Sequence, residues 1–148
     1  MSAPVPSPRP ASLWRRLAAI VYDTFAVFGV SFAAGAAALA WRHGATLPSG
    51  LSWFTGYLLL ANYAYFAYSW RRGQTLGMRA WKLRVVDCTH GGRVAWRQTA
   101  IRFAVALLAW VPAGFGYWRS LWDAEGRAWH DTASGTRLID TRAPATAA

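Results

Sequence analysis

The run from Leu17 to Trp41, LAAIVYDTFAVFGVSFAAGAAALAW, is 25 residues long and carries a single charge, Asp23. At about 1.5 Å per residue, a helix of that length exceeds the roughly 30 Å hydrocarbon core of a bilayer, so it can cross with some tilt. Gly29, Ala33 and Ala37 recur at four-residue spacing and offer a smooth face for close helix packing. A carboxylate inside such a helix costs a few kcal/mol on insertion scales and calls for a partner or a use.

A second run, LSWFTGYLLLANYAYFAYSW from Leu51 to Trp70, has 20 residues and no charge. Its tryptophans Trp53 and Trp70 suit the two membrane interfaces. Between the runs lies RHGATLPSG, a short turn with one arginine. Arg9, Arg15 and Arg16 precede the first run, and residues 71–97 hold seven basic residues against Asp87 alone. The positive-inside rule therefore predicts a cytoplasmic N-terminus and 71–97 loop, with the Arg42 turn outside.

This division explains an otherwise odd composition, 55% hydrophobic yet with a formal charge of +10. A nucleic-acid binder would share the charge but not the long uncharged runs, so no nucleic-acid partner is expected. The partners that suit the basic loop are the bilayer with its anionic headgroups or a second membrane protein. The single Cys88 allows neither an internal disulfide nor a cysteine-based zinc cluster, and no metal or cofactor is expected. Residues 1–12, rich in Pro, Ser and Ala, read as a disordered leader, and 141–148 as a loose tail.

Within the loop, GQTLGMRAWK suggests a short amphipathic piece lying at the headgroups. LRVVDCTHGGRVAW reads as a small cytoplasmic β-hairpin around Gly91 and Gly92. The third hydrophobic segment, 98–122, carries Arg102 and Arg119 near its ends and Pro112, Gly114 and Gly116 in its middle. An interior proline breaks or kinks a helix, so this segment is a re-entrant helical hairpin or a kinked span. The expected class is an all-α membrane protein. It has two transmembrane helices (17–41 and 51–70), the broken third segment, the β-hairpin, and a cytoplasmic C-terminal segment, 126–140.

Arg16 and Asp23 are almost two helical turns apart, on one face but about 10 Å apart along the axis, too far for a direct ion pair. Arg16 can snorkel to headgroup phosphates. Asp23 cannot, and on an antiparallel second helix Asn62 and Tyr65 bracket its depth. Arg102 enters from the same side, which predicts an Asp23–Arg102 pair with Tyr65 or Asn62 donating a hydrogen bond. In WHDTASGTRLI, adjacent His130 and Asp131 suit neither a zinc site nor a catalytic dyad. Asp131, Thr132 and Ser134 read as capping or turn residues, or Asp131 docks on an arginine of the basic loop. Neither a phosphate-binding loop nor an activated nucleophile appears, so no enzyme is expected.

Arg16 with Ala19 and Asp23, then GQTLGMRAWKLRVVD, then Ile101–Arg102, then WHDTASGT, together resemble the RDD family of small bacterial membrane proteins. That family is named for one arginine and two aspartates. The resemblance covers about Leu13 to Ile139. It matches Arg16 and Asp23 to the arginine and first aspartate of the first helix, and Asp131 to the second aspartate. Gly73, Thr75, Gly77, Arg102, Gly135 and Thr136 fit further recurring positions. Met78, directly after TLG, departs from the lysine or arginine many relatives carry there. The resemblance implies a multi-pass location in the bacterial cytoplasmic (inner) membrane. It also implies transport of an unidentified ligand, with sodium–proton exchange suggested for some members.

Two functions fit these readings. In the first, Asp23 binds a proton or small cation and an arginine competes for the carboxylate. So few helices cannot enclose a pathway comfortably, so this function predicts a homo-oligomer or a partner membrane protein. In the second, the protein is a scaffold or assembly factor whose basic loop binds anionic lipid or a partner, and Asp23 is architecture.

Overall fold

The computed structural model describes residues 11–46, 52–89, 91–110 and 128–142. Helix α1 spans Leu13–Trp41 and starts four residues earlier than the apolar run. Its first turn therefore carries Arg15 and Arg16, both buried. The helix stops where Arg42 leaves helical geometry and His43 and Gly44 take positive φ. The Gly44 N–H then returns to the Leu39 carbonyl at 3.0 Å. Phe25, Phe28 and Phe32 form an outward stripe, each at least 70% exposed. Among the described residues α1 is the one helix long and apolar enough to cross a membrane, with a mean hydropathy of 1.8 over an 18-residue stretch.

Helix α2, Trp53–Arg71, runs antiparallel to α1: Asn62 donates to Ser31 Oγ at 3.0 Å, while Phe54 lies against Gly35. Its tyrosines, tryptophans and Asn62 lower its hydropathy, so α2 does not qualify as a span by length and composition alone. Helix α4, Trp96–Trp110, runs antiparallel to α2, with Phe103 edge-on to Tyr63 and Arg71 over the Trp96 ring at 4.5 Å. Pro112, Gly114 and Gly116, the expected break of the 98–122 segment, lie outside the described residues.

The loop between α2 and α4 departs most from the sequence expectation. The short helix α3, Leu76–Ala80, forms where an amphipathic piece was predicted, but Gly77 and Met78 are buried, packed on α1. Strand β1, Leu83–Asp87, also forms as predicted. Its partner is not the neighbouring RVAW stretch. β1 pairs antiparallel with β2, Thr136–Asp140, in the register Leu83↔Asp140, Val85↔Leu138, Asp87↔Thr136. The expected hairpin is thus replaced by a two-stranded sheet closed across the chain.

The reason is local. Gly91 and Gly92 do turn the chain back, through Gly91 N–H to Asp87 O and Asp87 N–H to Gly92 O. Only three residues then remain before α4 begins, and Ala95 N–H is already held by Gln98 Oε1 at 2.8 Å. Gln98 in turn donates to Asp87 Oδ1, and Val94 drops into the core. The next described helix is α5, Trp129–Ser134, which ends on Gly135 in the left-handed conformation, φ 63°. That turn aims β2 back along β1.

The buried core is not between the long helices. Ala19, Trp70, Met78, Leu83, Val85, Val94 and Leu138 cluster where the start of α1 meets the end of α2, α3 and the sheet. Ala11, in the stretch read as leader, joins them, with its N–H on the Leu138 carbonyl.

Candidate functional site

Two buried ionic groups flank this core. The first centres on Asp23, which is 8% exposed. Its Oδ2 accepts from Thr75 Oγ1 at 2.6 Å and its Oδ1 from the Gly77 N–H at 2.8 Å. Thr75 Oγ1 also accepts from the Met78 N–H at 3.2 Å, and Tyr65 Oη accepts from the Leu76 N–H at 3.3 Å. The first three N–H groups of α3 are thereby satisfied by an ordinary N-cap and by two side chains from other helices. Asp23 acts as a cap delivered from α1.

This arrangement corrects the expected pairing. Arg102 does not meet Asp23, because α3 already occupies the carboxylate. Asn62 donates instead to Ser31 Oγ and to the Leu58 carbonyl, and Tyr65 meets the backbone of α3. Gly73 contributes its carbonyl to the Val85 N–H at 2.8 Å, which ties the end of α2 to β1.

The second group centres on Asp131, which is fully buried. Arg16 Nη1 donates to its Oδ2 at 2.8 Å, and Arg102 Nη1 donates to its Oδ1. The Ala128 N–H adds a third donor at 3.1 Å, so Asp131 also caps its own helix, as the sequence suggested. Its arginines come from α1 and α4, not from the basic loop. Arg102, 2% exposed, also donates to Thr136 Oγ1 at 2.6 Å and lies over the Trp70 ring at 5.1 Å. Thr136 in turn shares a hydrogen bond with Ser134 Oγ at 2.8 Å. Three helices and β2 are thus gathered on one carboxylate.

Burial pushes the His130 imidazole down to about 4, helped by the Arg102 and Arg16 charges and opposed by Asp131, whose Oδ1 lies 3.5 Å from Nε2. Burial alone would raise the Asp131 carboxyl, but the Arg102 and Arg16 charges, with the Ala128 N–H, outweigh it and hold it well below the usual range. A histidine kept neutral in the fold binds its proton more readily once unfolded. Stability therefore falls as pH drops from about 6.5 towards 4, by about 3 kcal/mol over that window. Unfolding of purified protein followed between pH 7 and 4.5 should show this slope, and His130→Gln should flatten it.

Sequence reasoning missed Arg15, which it counted only towards the basic flank. Arg15 is buried and bonds both Asp140 and the Trp81 carbonyl, closing β2 onto the start of α1. Two adjacent arginines at a helix start were the available signal, since consecutive side chains point to different partners.

A cavity of about 430 Å³ joins the two ionic groups. Arg16, Arg102 and His130 line one end and Val27, Leu59 and Leu107 the other, with Asp23 and Asn62 in its wall. Among the described residues no cluster of three or more His, Cys, Asp or Glu comes together to hold a metal.

Arg16, Asp23 and Asp131 therefore lie around one cavity, as ordered ion-pair and capping groups. The sequence profile of the RDD family matches residues 10–135 of the 148. The chain belongs to the RDD family. Neither the curated proteins nor the solved structures contain a match to it. As a family member it is membrane-associated, with α1 as its candidate span.

Proposed function

We propose that this RDD protein moves a proton or small cation across the cytoplasmic membrane through a site at Asp23, with α1 and α2 both spanning and the N-terminus inside. One observation carries this reading. Asp23 is buried, lies in the apolar helix α1 and lines the cavity, yet the partners its two oxygens accept from, Thr75 Oγ1 and the Gly77 N–H, are both neutral donors. A carboxylate removed from water is costly without a cation or a proton, and in a membrane segment such a group marks ion pathways. Taking up a proton or cation would weaken the Thr75 and Gly77 bonds and loosen α3 from α1, which links occupancy to movement of the loop. The stripe Phe25, Phe28 and Phe32 gives α1 an outer face for a second copy or a partner membrane protein, which a pathway needs. No catalysis is assigned to the chain.

The same bonds support a second reading. A carboxylate that caps α3 also suits a scaffold, with the basic loop bound to anionic headgroups. Flux separates the two. Wild type and Asp23→Asn, reconstituted at equal amounts of folded protein, would be compared under a pH gradient with sodium and potassium in turn. Transport predicts wild-type flux reduced at least about tenfold in Asp23→Asn, since the neutral amide cannot carry the charge. The absence of wild-type flux, with the variant only less stable, would leave Asp23 as architecture.

A further inference from the structure

We propose that the cavity between α1, α2 and α4 is a binding site for one anionic phospholipid, its phosphate on Arg16 and Arg102 and an acyl chain along the apolar wall. The argument starts from unmatched donors. Arg16 Nη1 and Nε are engaged by Asp131 and the Ala11 carbonyl, but its buried Nη2 has no partner among the described residues. Arg102 Nη1 is engaged by Asp131 and Thr136, and its buried Nε likewise has none. Both side chains are more than nine-tenths buried and both line the cavity. Among the described residues Arg15, Arg16, Arg102 and Arg137 each keep a buried guanidinium donor open, and of these Arg16 and Arg102 come together on the cavity, where one occupant could satisfy both.

Charge names the occupant's sign. Two guanidiniums share the single Asp131 carboxylate, and His130 stays neutral above about pH 4, so one positive charge is in excess. Asp23 lies about 10 Å further along α1 and keeps an anion at the arginine end. A phosphate oxygen is the partner that guanidinium donors hold best.

Shape names the rest. The cavity volume lies within the range of small-ligand pockets, roughly 300–1,000 Å³. Its cationic end is at the start of α1, where the span meets the cytoplasmic interface. Its apolar end, with Val27, Leu59 and Leu107, runs towards the membrane interior. Leu17, Leu59 and Leu107 line the cavity and are also 40–44% exposed, so the cavity is continuous with the outer apolar surface that faces lipid. Headgroup at the interface and chain in the hydrocarbon is how a phospholipid of the bilayer already sits. This site is separate from the surface attraction of the basic loop, and it does not depend on transport at Asp23.

The test is native mass spectrometry of the full chain in nonionic detergent, titrated with phosphatidylglycerol, with phosphatidylcholine and with inorganic phosphate, at salt high enough to screen the loop arginines. The expected result is one phosphatidylglycerol per chain, bound at least about tenfold more tightly than phosphatidylcholine. Arg16→Lys should weaken it about tenfold, because an ammonium can keep Asp131 but lacks the second guanidinium nitrogen. Ala106→Trp, which fills the cavity wall and leaves the charges alone, should abolish it and keeps the proposal testable if Arg16→Lys folds poorly. Arg93→Gln in the exposed loop turn should retain it. Equal affinity for the two lipids would overturn the proposal and mean that water fills the open donors. Full competition by phosphate would mean a free-anion site. Binding insensitive to both cavity variants would mean surface attraction alone.

Discussion

Replacing Gly77 with alanine is expected to abolish folding of the part of the protein built from α3, the two-stranded sheet and the start of α1. A methyl group at that position would lie 2.0 Å from the Ala19 carbonyl oxygen and 2.9 Å from the Asp23 carboxyl carbon. The first obstacle is helix backbone, which cannot swing aside as a side chain can. Relief requires α3 to move off α1. That movement breaks the Gly77 N–H and Thr75 hydroxyl bonds to Asp23 and leaves the carboxylate buried without donors. Overpacking alone costs about 1–3 kcal/mol. An unsatisfied buried carboxylate adds several more, a total comparable to the whole stability of a small domain. Fluorescence-detected size exclusion of Gly77→Ala should show little or no monodisperse protein. Gly29→Ala, where an added methyl meets nothing within 4 Å, should behave as wild type. A Gly77→Ala protein with an unchanged unfolding temperature would refute the contact between α1 and α3.

Asp131→Asn is expected to be nearly as damaging, for an electrostatic reason. The carboxylate holds two buried guanidiniums, and its amide would leave both without a countercharge. Removing one partner of a buried ion pair costs about 3–5 kcal/mol, and here one change affects two pairs. The arginines are themselves expensive, so the triple replacement Arg16→Met, Asp131→Leu, Arg102→Met should recover much of the loss while binding no anionic lipid. Thermal unfolding in detergent of the single and triple variants checks this. A single variant within about 1 kcal/mol of wild type would mean that the carboxylate is not ionised in the fold.

The ion pairing also explains why part of the site was legible in the sequence and part was not. Arg16, Asp23, Arg102 and Asp131 stand out because charges in or beside apolar runs are costly and must be matched. Which charge matches which cannot be read from depth alone. Asp23 and Arg102 approach from the same side, and their pairing was the simplest solution in a two-helix picture. It failed because α3 folds back onto α1 through Gly77 and supplies neutral donors first. Asp131, read as a cap, is one, yet its long-range arginines required knowing that α5 returns to the start of α1. The adjacency of His130 and Asp131 in sequence says nothing of how deeply both are buried.

Along the chain, the parts determined by the sequence itself are those governed by local physics. The apolar run makes α1 a membrane-length helix; Thr75, three residues before Met78, caps α3; β-branched residues make β1; Gly135 ends α5. Periodicity, propensity and capping act over a few residues, so one sequence contains them. Tertiary structure alone decided the strand partner: the sequence pointed to the RVAW stretch, whereas Leu83–Asp87 pairs with Thr136–Asp140. The outcome turned on where α4 starts and on Leu138 reaching the core. It also decided that Arg15 and Arg16 turn inward to Asp140 and Asp131 rather than out to headgroups. Long-range ion pairs depend on which segments meet in space, and that meeting is set by the packing of every segment at once.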